Sequence, residues 1–175
     1  MTMLRFFCFA CLVQVARADD KPSALHGSWR SDGEATRAYL DEHAKLDEFQ
    51  RKMIGLMFGR ATVTFKPDGS GSLRMDPMKV PTKEGAELAL AESTTGFTYR
   101  ILGETESQIV IESRFDNAAL DAQPFAVLKF DGKDRYSVAL SDGIAEINGR
   151  EFFTRVKEGG QGEAAAPDPD DAEEP

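Results

Sequence analysis

From Gly59 onward the apolar residues of this chain recur at every second position in short bursts, each ended by turn-forming residues. Val63 and Phe65 alternate with Thr62 and Thr64, and Lys66-Pro67-Asp68-Gly69-Ser70-Gly71 then reverses the chain into Leu73 and Met75. A period of two places successive side chains on opposite faces of a strand, so this stretch is predicted to be a β-hairpin. The same alternation returns in Phe97-Thr98-Tyr99-Arg100-Ile101, in Ile109-Val110-Ile111 and in Tyr136-Ser137-Val138-Ala139-Leu140. Pro124 to Phe130 and Phe152 to Val156 are denser apolar runs, and Asp131-Gly132, Asp142-Gly143 and Asn148-Gly149 supply further turn chemistry. With Ala24 to Arg30 as the first, eight or nine short strands are expected, whereas residues 78–92 fit either a strand or a helical turn.

Short strands joined by tight turns, without alternating helices, favour a closed antiparallel barrel, in which no strand edge is left exposed. The one helical signal lies in residues 34–58, where Tyr39, His43, Leu46, Phe49, Met53, Leu56 and Met57 recur at intervals of three or four. Asp32 is placed to cap it and Gly59 to stop it. The expected fold is therefore mainly β, an antiparallel up-and-down β-barrel with one long helix inserted after the first strand. The apolar stripe of that helix needs a surface. Phe49, Met53, Leu56, Met57 and Phe58 would form either a lid over the barrel mouth or ordinary core packing.

The ends of the chain differ from its middle. Arg5, the apolar run Phe6 to Val15 and the small-x-small site Ala16-Arg17-Ala18 read as a secretory signal over residues 1–18. This places the protein in the periplasm or outside the cell. The only cysteines, Cys8 and Cys11, fall within that signal, so no disulfide, thiolate metal site or cysteine nucleophile is expected in the barrel domain, residues 19–157. No stretch reaches the roughly 20 apolar residues of a transmembrane helix. A net charge of −9, more negative still once Arg5 and Arg17 are removed, argues against nucleic acid as a partner. Residues 158–175, rich in Gly, Ala, Pro, Asp and Glu, read as a disordered acidic tail.

The single tryptophan stands in Leu25-His26-Gly27-Ser28-Trp29-Arg30. Gly27-Ser28-Trp29 resembles the Gly-x-Trp element that opens the first strand of lipocalins, and with the helical segment around Tyr39-Leu40 it is also similar to the opening of fatty-acid-binding proteins. Phe152-Phe153-Thr154-Arg155-Val156 resembles the closing strand of both families. The resemblance implies an arginine either over the tryptophan or inside the cavity, so Trp29 and Arg155 are candidates for lining a ligand site or for closing one barrel end. Fatty-acid-binding proteins hold the carboxylate with an Arg-x-Tyr pair. Here Arg155 is followed two positions later by Lys157, and that pair is not carried over.

Nothing in the spacing selects a catalytic group. There is no Gly-x-Ser-x-Gly elbow, phosphate loop or dinucleotide fingerprint, and His26 and His43 lack neighbours at metal-ligand spacing. No metal and no cofactor is expected. The chain reads as an exported, monomeric lipocalin-like barrel that binds a small apolar or amphipathic molecule. The alternative is a filled barrel acting as a protein-interaction or envelope-associated module.

Overall fold

The computed structural model describes residues 23–82, 86–117, 124–140 and 149–157. The expected signal and acidic tail, and the turn at Asp142-Gly143, lie outside them. The described residues form two helices and ten strands: β1 (Gly27–Ser31), α1 (Gly33–His43), α2 (Glu48–Met57), β2 (Ala61–Phe65), β3 (Ser70–Met75), β4 (Met78–Pro81), β5 (Glu87–Leu90), β6 (Ser93–Glu104), β7 (Gln108–Phe115), β8 (Phe125–Phe130), β9 (Arg135–Leu140) and β10 (Gly149–Arg155). Eight of them close into an antiparallel barrel in the order β1-β10-β9-β8-β7-β6-β3-β2, while β4 and β5 pair only with each other. The expected up-and-down barrel is therefore present, with a hairpin where the sequence left strand or helical turn open.

The helical region departs from expectation in one respect: it is two helices rather than one. Asp47 adopts an extended backbone, its carboxylate accepts from Gln50 N at 2.7 Å, and the Gln50 side chain accepts from Asp47 N at 2.9 Å. This reciprocal box satisfies amide groups that a helix start leaves unpaired, and its extended residue cannot belong to a continuous helix. Splitting the helix also splits the stripe. The face that α1 buries is Thr36 and Leu40, and Leu40, Ala44 and Leu46 form a small second core with Ile54 and Phe58.

Alternation decides which side chains fill the barrel. Trp29 pairs with Val63 and Arg155, Phe65 with Gly71, Phe97 with Phe115, and Ile109 with Leu128, so one face of every strand supplies the interior. Leu25, Trp29, Ala61, Phe65, Phe97, Tyr99, Ile109, Ile111, Leu128, Tyr136 and Phe153 form the buried core.

The two ends of the barrel are unlike. At one end the chain reverses in tight turns: Lys66 N bonds Ser70 O, Thr105 N bonds Gln108 O, and Asp131 N bonds Arg135 O. The opposite end carries the long connections of the described residues, namely α1 with α2 and the β4–β5 hairpin. α1 lies against the outer wall at β10, and α2 packs on α1 and β4.

Candidate functional site

At the tight-turn end, the geometry is that of a plug. Trp29 is completely buried, its indole Nε1 donates to Leu25 O at 2.8 Å, and its ring meets Tyr136 and Phe130 edge-on at 4.8 and 5.8 Å. The Arg155 guanidinium lies 4.0 Å from the indole centroid. It also donates from Nη1 to His26 O at 2.8 Å and from Nη2 to Ala24 O at 2.6 Å, and it pairs with Asp134 at 3.2 Å. One side chain thus ties the last strand to the segment that precedes the first.

The glycine of the Gly-Ser-Trp element has a physical reason. Gly27 has φ of +125°, a region that side chains disfavour, and a Cβ there would stand 2.9 Å from Arg155 Nη1. Only a residue without a side chain lets the guanidinium reach both carbonyls.

Beyond the plug the interior is less completely buried. Val63, Leu73, Met75, Ala126 and Val138 face inward and pack on the core, yet each keeps part of its surface accessible. Glu151 shares this face of β10, two positions from buried Phe153, and pairs across the strands with Val138. Its Oε1 accepts from Ser31 Oγ at 2.6 Å, and Ser31 Oγ in turn accepts from Gly59 N at 2.9 Å. Burial pushes the Glu151 carboxyl up to about 7, although the Ser31 bond pulls the other way. Nearby Tyr136, fully buried, has its phenol pushed well above the ordinary range by burial and, secondarily, by the charge of Glu151. An acid that changes charge near neutrality inside an apolar lumen is the most chemically distinctive group among the described residues.

Of the candidates read from the sequence, Trp29 and Arg155 come together directly. The five helix residues do not converge: Phe58 packs into the second core, Met53 and Leu56 are half-buried, and Phe49 and Met57 are 48% and 47% exposed on α2. His43 stacks on Tyr39 at 4.1 Å, while His26 Nδ1 is buried without a partner. Among the described residues no group of His, Cys, Asp and Glu has the placement to hold a metal ion.

Sequence reasoning passed over Glu151 and Ser31, although a signal for both was available. Once Arg155 is set on the face of Trp29, a period of two puts Phe153 and Glu151 on that face, and the same period puts Ser31 there from Trp29. Among the described residues, the concavities outside the lumen include a groove of about 190 Å³ between the helices, lined by Leu40, Leu46 and Ile54, and a shallow one of about 410 Å³ on the outer wall of β6 and β7. No helix among the described residues is long and apolar enough to cross a membrane. Neither the protein-family models nor the curated proteins include a match to this chain.

Proposed function

We propose that this protein is an exported lipocalin-like barrel that takes up a small apolar or amphipathic molecule in its lumen. The observation that carries this reading is the uneven burial of the side chains inside the barrel. Trp29, Ile109 and Tyr136 are 0%, 1% and 2% exposed, whereas inward-facing Val63, Leu73, Met75 and Val138 are only partly buried. A lumen plugged at one end and lined by apolar side chains that are incompletely buried suits a small-molecule site in a barrel mouth. Titration with the uncharged dye N-phenyl-1-naphthylamine should give a saturable rise in emission, and native mass spectrometry of protein from its own host should reveal a retained small molecule. No rise in emission and no bound mass would refute the reading.

The outer wall supports the rival role of a protein-interaction module. Phe125 and Val127 are 60% and 44% exposed on β8, beside half-buried Val110 on β7. Contiguous exposed apolar surface marks contact sites, and a dye-negative barrel would favour this use.

A further inference from the structure

We propose that Glu151 anchors the ligand, and that this ligand is an amphiphile with a protonated amine head on an apolar body; the assignment rests on the carrier reading above. Position is the first ground. Glu151 faces inward among the partly buried apolar side chains of the barrel, next to Val138 and two positions from buried Phe153.

Its surroundings supply the second ground. Because Gly59 N occupies an acceptor position of Ser31 Oγ, the Ser31 proton is directed to Glu151 Oε1. That fixes one carboxyl oxygen and leaves a carboxylate with further acceptor capacity for an incoming N–H. An ammonium carries three such donors and pairs with a carboxylate in the strong, charge-assisted manner.

Charge decides between ligand heads. Among the described inward-facing residues the one base is Arg155, and it is committed at the plug to Trp29, His26 O and Ala24 O. A fatty carboxylate would bring a second negative charge beside Glu151 with no free cation to meet it, whereas an amine neutralises the acid. The whole chain points the same way. Its net charge is −9. A negative field of this kind draws cations toward the molecule.

The test is isothermal titration of the full-length protein near pH 8 with dodecylamine, dodecanol and dodecanoate, each kept below its aggregation concentration. Dodecylamine should bind at least about tenfold more tightly than dodecanoate. Glu151→Gln, which keeps an oxygen for Ser31, should weaken the amine by about tenfold or more while leaving dodecanol within about twofold. Dodecanoate binding as tightly as the amine, or amine affinity unchanged in Glu151→Gln, would overturn the assignment and leave the carrier reading standing. Binding of none of the three would overturn both.

Discussion

Replacing Glu151 by glutamine should make the protein more stable at neutral and alkaline pH, and the gain should vanish in acid. In the folded chain the carboxyl ionises at about 7, against an ordinary value of 4.5. Between these values the folded state holds a proton that the unfolded chain has released, so its stability is greatest below pH 4.5 and declines as the pH rises through about 7. At ~1.4 kcal/mol per tenfold change in acidity, the full decline is about 3 kcal/mol. Glu151 keeps part of its surface accessible in the lumen, and allowing for solvent there, a measured value of about 2 kcal/mol is the working expectation. Urea unfolding of wild type and Glu151→Gln at several values from about pH 5 to pH 8.5 separates this contribution. The two proteins should have similar stability near pH 5, and the variant should lead by about 2 kcal/mol, or roughly 6 °C in Tm, above pH 8. Asp68 and Asp76, held below the usual carboxylate range by bonds to Ser70 and Arg30, add a pH dependence of opposite sign confined to more acid solutions. Parallel stability profiles for the two proteins across this range, or a variant destabilised at pH 8, would refute the burial of an unpaired acid.

Two further predictions concern the plug. Arg155→Ala removes the cation over Trp29 and the donors to His26 O and Ala24 O, and should cost about 3 to 4 kcal/mol by urea unfolding; Arg155→Lys should recover less than half, since an ammonium lacks the planar fork. Gly27→Ala forces a side chain into φ of +125° and against the guanidinium, and should lower stability by about 1 to 3 kcal/mol in thermal unfolding, with wild-type Tm as the refuting result.

The barrel was legible because period-two alternation is a strong signal wherever one face is buried, as in Val63-Phe65 and Phe97-Tyr99-Ile101. The helix break was harder to see because Leu46, Phe49 and Met53 keep helical spacing straight across it, although Asp47 and Gln50 were both present in the sequence as a capping pair. Residues 78–92 gave no clear period since β4 and β5 pair only with each other and leave Leu88 and Leu90 exposed. In β10 two adjacent phenylalanines blurred the alternation. Phe153 fills the core while Phe152 faces outward, its ring 5.6 Å from Tyr39 of α1 and beneath the Arg135 guanidinium at 4.9 Å. A strand apolar on both faces hides which one is inside, and the identity of Glu151 as an interior acid was hidden with it.

Most strands of this barrel pair with their neighbours in sequence, and those contacts can form early and locally. The joint between β1 and β10 is different, since its partners Arg155 and His26 are 129 residues apart in the chain. Bringing the two ends of so long a segment together carries the largest loop-closure entropy in the fold. The indole and guanidinium sit directly on that seam, so the contact that plugs the barrel also acts as its clasp. Emission from the lone tryptophan should therefore report closure of that seam, and in stopped-flow refolding its change is expected to lag the signals of the local hairpins.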